Sequence, residues 1–438
     1  MQKKINKTAL LWFRNDLRTE DHQNLTEATQ KYTQVIAYYS LDPRHFETTK
    51  WGFKKTEKFR AQFLLDSLTD LRQQLWELNI PLYVNQKTPE EAIPELVSDF
   101  DINELFFQEE WTSEEVAVTE AVLQQLPQKI TFKQRKEQFL FNPEDVPVTL
   151  KTLPEVFTVF RKKCEKYGSI KPLAEAPDIC SKAANWPLPQ HLPSLLDLGL
   201  DEIQQDSRSA FPFQGGSKAA KGRLQHYFWK SKKLSYYKNT RNGLVGLDYS
   251  SKFSPWLANG SLSPRTIYWE VKGYEKEIQK NSSTYWLVFE LIWRDYFKYI
   301  SLKHGTSIFK LGGILNKFYK WKSDPNLFVD WANGNTPEPF VNANMIELQQ
   351  TGWMSNRGRQ NVASYFAKNL LMDWRMGAAY FESLLLDYDV HSNYGNWMYV
   401  AGVGNDPRDR KFDVAWQAER YDADEKFQKR WLQQTLFP

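Results

Sequence analysis

Cysteine is nearly absent from this chain: Cys164 and Cys180 are the only two thiols in 438 residues. Two thiols build no disulfide framework, and these two have no zinc-site spacing. A reducing setting is the simplest one, so we expect an intracellular, cytoplasmic protein. Long apolar runs are missing as well. No stretch approaches the ~18 uncharged apolar residues of a membrane span. The opening MQKKINKTALLWFRNDLR has a five-residue apolar run before Arg14, too short for a secretion signal. Walker A, G-x-S-x-G and H-E-x-x-H patterns are absent, which removes three common enzyme classes. The GVG at Gly402–Gly404 lacks the third glycine and the preceding strand of a dinucleotide fingerprint. Nor is there a large excess of either charge. The net charge is +4, so any positive surface must be local, balanced by acid as in Glu104–Glu120.

What the chain has in plenty is aromatic rings. They make up 15% of it and include 17 tryptophans, more than ordinary packing requires. In Ser217–Arg241 rings mix with positive charge: Lys218, Lys221, Arg223, Lys230, Lys232, Lys233, Lys238 and Arg241 occur without any Asp or Glu. Interleaved are His226, Tyr227, Phe228, Trp229, Tyr236 and Tyr237. Lys and Arg neutralise phosphates and rings stack on bases, so the stretch suits a nucleic-acid strand. The alternative is a solvated charged surface over helical core aromatics.

The length allows two or three domains. Residues 1–135 alternate short apolar runs with amphipathic helices. Ala9–Phe13, Gln34–Ser40, Pro81–Val84 and Glu104–Phe107 read as strands. Thr56–Leu78 reads as a helix with Phe59, Phe63, Leu64, Leu68, Leu71 and Leu75 on one face. Uniformly apolar strands alternating with helices predict an α/β domain with a parallel sheet covered on both faces. Residues 136–205 carry Pro143, Pro147, Pro154, Pro172, Pro177, Pro187, Pro189 and Pro193 and little periodicity, which predicts a connector crossing the surface. Residues 206–438 read as an all-α domain, with long apolar periodicities over Tyr285–Ile300 and Asn361–Tyr388.

Glu290, Trp293, Arg294 and Phe297 stand at i, i+3, i+4 and i+7, on one helix face with Trp286. Either this is a buried i,i+4 ion pair under packing aromatics, or it is a pocket wall that hydrogen-bonds and stacks on a polar planar ligand. A second cluster offers Asn356, Arg357 and Arg359, and a third Asp387, Asp389 and Asn393. The paired acids suit a cap or a metal, but no His or further acid completes a shell, so no metal is expected. Trp321, Trp374 and Trp397 cannot be linked by spacing, and each reads as a core residue.

LLWFRNDLRTEDHQNL (Leu10–Leu25), FPFQGGSKAAKGRL, YKNTRNGLVGLDYSSKFSPWLANGSLSPR and STYWLVFELIWRDYF (Ser283–Phe297) resemble the photolyase/cryptochrome family, and its DASH-type cryptochromes in particular. The resemblance covers nearly the whole chain. It implies a Rossmann-like α/β domain followed by an all-α domain that binds FAD. By position, Tyr237, Ser250, Ser251, Lys252, Phe253 and Ser254 would hold the FAD phosphates and ribityl chain, with Arg294 also at the cofactor. Arg359 and Asp387 would pair beside the isoalloxazine, Asp389 would meet the ring edge and Asn393 would face flavin N5. A neutral amide there favours reduced flavin without adding negative charge. Trp397, Trp374 and Trp321 would form the family's electron-transfer chain, proximal to distal.

Glu290, Trp293, Phe297, Asn356, Arg357 and Tyr399 match substrate-cavity positions. Glu290 would hydrogen-bond a flipped pyrimidine dimer, and Trp293 would wedge against its bases. Tyr399 stands where duplex-repairing members carry Trp. Weaker stacking disfavours extrusion from a duplex, so single-stranded DNA is the expected substrate. Residues 353–366 lack the His that repair of 6-4 lesions needs. Ser217 stands where DASH segments commonly have an acid. Glu110 matches the carboxylate that holds a 5,10-methenyltetrahydrofolate antenna. Lys232 and Lys233, from charge pattern alone, would guide the DNA strand. The implied protein is a monomeric, blue-light-driven repair enzyme for cyclobutane pyrimidine dimers. The alternative is a photoreceptor that signals or regulates DNA without repair; the short stretch from the last helical segment to Pro438 leads us to expect repair.

Overall fold

The computed structural model describes residues 4–146, 148–181, 191–406 and 408–433, so Pro147, Pro187, Pro189 and Pro438 lie outside the described residues. Each predicted strand is present, its ends moved by a few residues. β1 (Ile5–Trp12) lies between β2 (Tyr32–Ser40) and β4 (Ile102–Gln108), with β3 (Leu82–Asn85) and β5 (Thr131–Arg135) outside them. The order is β3-β2-β1-β4-β5 and every pairing is parallel. Ala9, Leu10 and Leu11 are fully buried because helices cover both faces. Those helices are α1 (Gln23–Lys31), α2 (Lys58–Glu77), α3 (Pro89–Asp99) and α4 (Ser113–Gln125). β5 was not foreseen: TFKQR is a mostly exposed edge strand, and its Lys133 and Arg135 pair with Glu27. A charged edge has no apolar alternation to betray it.

The expectation that residues 136–205 merely cross the surface does not hold. The segment forms α5 (Phe157–Tyr167), and Phe139, Leu140, Phe141, Phe157 and Phe160 join the core of the helical region. The buried carboxylate of Asp295 accepts from the backbone N–H groups of Leu140 (3.0 Å) and Phe141 (2.7 Å). The apolar triplet was too short to show a period.

The helical region is built around Ser282–His304, capped by Asn281. The periodicity over Asn361–Tyr388 is not one helix. It divides into Asn356–Ser364, a wide turn over Tyr365–Asn369, and Trp374–Leu384, whose first turn is capped by Asp373. Val390–Ala401 follows, capped by Asp389. The two regions are tied by a buried ion pair: Arg265 meets Asp21 through Nη2 (2.7 Å) and Nε (3.0 Å). Beside it Gly260 (φ +75°) lies so close to Asn15 that a Cβ would fall 2.0 Å from its carbonyl oxygen, and only glycine permits the approach.

Candidate active site

Two adjoining cavities, of about 260 and 90 Å³, lie between the loop 249–254, the long helix Ser282–His304 and the helices Asn356–Ser364 and Val390–Ala401. Tyr237 and all of Ser250–Ser254 line the larger one, and Asn393 and Trp397 line the smaller. Asn356, Arg359, Asp387, Asp389 and Ser392 line both. The residues expected at the cofactor thus line these two adjoining cavities, Arg294 among them. Arg359 Nη2 pairs with Asp387 Oδ1 at 2.9 Å. Asn393 spends its Nδ2 on the Ala378 carbonyl (2.9 Å), which leaves its oxygen for a ligand donor. Lys252 Nζ is buried and has no hydrogen-bond partner; it lies 3.4 Å from the Tyr249 ring centroid and 4.4 Å from that of Trp353. The unpartnered Lys252 amine, the side-chain hydroxyls of Ser250 and Ser251, and a free amide oxygen fit the phosphates and ring of FAD.

A third cavity, of about 450 Å³, abuts the first and shares Arg241, Glu290, Arg294, Asn356 and Ser392 with it. It is lined further by Trp293, Phe297, Arg357 and Tyr399. The pocket-wall reading of the Glu290 face is the one the structure supports. Glu290 Oε1 accepts from Arg241 Nη1 (2.6 Å) and Trp286 Nε1 (3.1 Å). Burial raises the Glu290 carboxyl above its ordinary range, against the opposing pull of Arg241. Trp293 stacks on Phe157 with ring centroids 3.6 Å apart, and Tyr399 meets it edge-on at 6.2 Å. Arg357 Nη2 donates to Asn242 Oδ1 at 3.2 Å.

Trp397 and Trp374 are buried, and Trp321 is partly exposed. The Trp397 ring packs on Gly377, one helical turn from Trp374, where a Cβ would come within 2.3 Å of it. The Trp321 backbone adjoins the Trp374 segment through Lys322, whose N–H donates to Leu371 and whose carbonyl accepts from Asp373. So Trp397 packs on the helix that begins at Trp374, and the Trp321 segment is bonded beside it.

The basic stretch is less uniform than its sequence. Tyr227 and Phe228 are core residues, and Arg223 is buried against Asp248 at 2.6 Å. Ser217 is buried, with its hydroxyl on the Leu17 carbonyl. Lys232 and Lys233 are exposed but line none of these cavities. Sequence reasoning missed three groups. Arg241 was read only as one charge of the basic stretch, Arg410, which donates to the Tyr399 hydroxyl (3.0 Å), gave no signal, and Lys298 pairs with Asp389 at 2.7 Å. Lys298 had a signal: it is four residues past Arg294 on the Glu290 face.

Glu110 lies elsewhere, in a cleft of about 380 Å³ between the α/β and helical regions. It follows the carboxyl end of β4, and Asn15, just after β1, donates to it at 3.3 Å. β1 and β4 flank the point where the strand order reverses, the place where open α/β sheets bind ligands. Among the described residues, no helix is long and apolar enough to cross a membrane.

Residues 9–178 match the family described as DNA photolyase, and residues 286–435 match the FAD binding domain of DNA photolyase. The chain is 47% identical over 430 residues to the cryptochrome DASH of Gloeobacter violaceus, which covers 97% of this chain and 85% of that protein. It is 45% identical over 439 residues to the cryptochrome DASH of Synechocystis sp., covering 98% and 88%. The crystal structure of the Synechocystis sp. cryptochrome shares 46% identity and a TM-score of 0.94, covering 98% of this chain and 89% of that one. A parallel-sheet domain, a helical domain with cavities suited to FAD, and these likenesses lead to one assignment: the chain belongs to the photolyase/cryptochrome family, alongside its DASH-type cryptochromes.

Proposed function

We propose that this protein uses blue light to split cyclobutane pyrimidine dimers, preferentially in single-stranded DNA. The observation that carries the reading is the wall shared by two cavities, which brings the pocket of about 450 Å³ lined by Glu290 and Trp293 against the proposed flavin pocket. FAD, bound and reduced, would supply on excitation the electron that opens the cyclobutane ring and would take it back once the ring is split, so no net redox change would result. The chain's own residues do the rest. Glu290, on the wall of the substrate pocket, is placed to hydrogen-bond an extruded base. Arg241 fixes its orientation. Trp293, held flat by Phe157, stacks on the extruded bases, and Phe297 closes the apolar side. Asn356 and Arg357 contact the strand at the mouth, and Lys232 and Lys233 neutralise phosphates further out. Trp397, Trp374 and Trp321 carry electrons inward to keep the flavin reduced. Tyr399 is smaller than Trp, which favours strands whose bases are already unpaired.

We place 5,10-methenyltetrahydrofolate as antenna in the Glu110 cleft, and we take the protein to act as a cytoplasmic monomer. The test is time-resolved fluorescence of the reduced flavin. A single-stranded oligonucleotide with one thymine dimer shortens the lifetime, and the undamaged oligonucleotide does not. Equal lifetimes with both strands bound favour a photoreceptor instead.

A further inference from the structure

A row of buried polar side chains runs from Glu110 in the interdomain cleft, through Gln138 and Lys298, which the proposed chemistry does not use, to Asp389, which lines both that cleft and the flavin pocket. Glu110, 5% exposed, accepts from Gln108 Nε2 at 2.9 Å and from Gln138 Nε2 at 2.8 Å. The other amide atom, Gln138 Oε1, accepts from Lys298 Nζ at 2.7 Å. Lys298 is fully buried, and the same ammonium lies 2.7 Å from Asp389 Oδ2. Asp389 Oδ1 accepts from the Ser392 N–H at 2.8 Å, which caps the helix bearing Asn393, Trp397 and Tyr399. One chain of hydrogen bonds thus leads from the cleft to the helix that lines the flavin pocket.

Its direction is fixed by elementary chemistry. A carboxylate only accepts and an ammonium only donates. An amide between them has one workable orientation, NH₂ toward Glu110 and oxygen toward Lys298. Turned over, it would set acceptor against acceptor at Glu110 and donor against donor at Lys298. The surroundings resist slack: Trp111 stacks on His391 at 4.4 Å and donates to Ser301 at 2.7 Å, beside Lys298. Burial works to raise the Asp389 carboxyl, but Lys298, His391 and Arg294 together outweigh it and hold it below the usual carboxylate range. A buried ammonium is costly, and an apolar side chain would fill the space without that cost.

We propose that Gln138 and Lys298 are positioning residues that couple the cleft carboxylate Glu110 to Asp389, so that a ligand hydrogen-bonding Glu110 changes how readily the bound flavin takes up electrons. The coupling rests on FAD occupying the pocket and is independent of DNA repair. A ligand with N–H donors competes with Gln138 for Glu110, frees the amide, and leaves Lys298 wholly to Asp389. Since a nearby cation favours added negative charge, any change in that ammonium's place alters the flavin's electron affinity.

The test is the two-electron midpoint potential of the FAD-loaded protein, with the FAD dissociation constant of the apoprotein as a second readout. Lys298→Met shifts the balance toward oxidised flavin about tenfold, a fall of about 30 mV. Lys298→Arg restores the parent potential. Gln138→Leu shifts it although Gln138 lines neither flavin cavity, and the double variant Gln138→Leu/Lys298→Met shows no more than Lys298→Met alone. An unchanged potential in Gln138→Leu, or additive shifts, overturns the coupling. Should Lys298→Met not fold, the Gln138→Leu comparison decides alone. Bound 5,10-methenyltetrahydrofolate, seen by its own absorbance, moves the parent potential and not that of Gln138→Leu. A bound pigment that moves both equally or neither overturns the proposal. Failure of the pigment to bind sinks the antenna assignment, and the variants then decide the coupling.

Discussion

Replacing Arg265 by Met removes the charge that joins the two regions while keeping most of the buried methylene stem. Arg265 and Asp21 have side chains only 4% and 0% exposed. Asp21 would keep two neutral partners, the Ser263 hydroxyl and the Ala174 N–H at 2.9 Å. Two charge-assisted bonds, from Nη2 and Nε, would be lost. An uncompensated buried carboxylate of this kind costs about 3–5 kcal/mol. The cost falls at the N-cap of Pro264–Glu277, just after the loop 249–254 of the flavin pocket, so FAD release should quicken as well. Urea unfolding of the apoprotein measures the loss without the cofactor's own stabilisation. The double variant Asp21→Asn/Arg265→Met, which leaves no lone charge, should recover more than half of it. A single-variant loss under about 1 kcal/mol, or a double variant no better than the single, would refute the reasoning.

Four further outcomes are expected. Tyr399→Trp raises repair of dimers in duplex DNA and leaves single-strand repair unchanged, read by parallel repair assays. Lys232→Ala with Lys233→Ala weakens single-strand binding and lowers the slope of log K against log salt by about 0.7 per lost phosphate contact; an unaltered slope removes both from the DNA path. Trp374→Phe abolishes fast photoreduction of the flavin, and a parental rate removes Trp374 from the electron chain. Burial pushes the Glu347 carboxyl up to about 8, against Lys252 and Arg359, so the folded chain keeps a proton that the unfolded chain releases. Stability then falls as pH rises from near 4.5 to near 8, and Glu347→Gln flattens that fall in urea midpoints. Asp295, raised to about 7 by burial, acts in the same direction over the lower part of that window.

The central strands were legible because burial on both faces leaves no choice of residue, as at Ala9–Leu11. β5 was hidden by its charged edge, and the Phe139–Phe141 anchor by its brevity. Within the site, residues on one helix face declared themselves: Glu290, Trp293, Arg294 and Phe297 all line the third cavity. The partners that tune them come from distant segments. Arg241 reaches Glu290 and Arg410 reaches Tyr399 only through the fold. Trp397 meets the Trp374 helix at Gly377, and Trp321 adjoins that segment through the Lys322 backbone, contacts that no spacing rule connects. The setting of Glu110 needs the strand order, because the reversal between β1 and β4 makes the cleft.

The most direct measurement is dimer splitting by the purified protein with reduced FAD, on a single-stranded oligonucleotide carrying one thymine dimer, in blue light and in the dark, beside the matching duplex. The account predicts splitting in light alone, faster on the single strand than on the duplex. No splitting in light, with FAD bound and the damaged strand held, would contradict it.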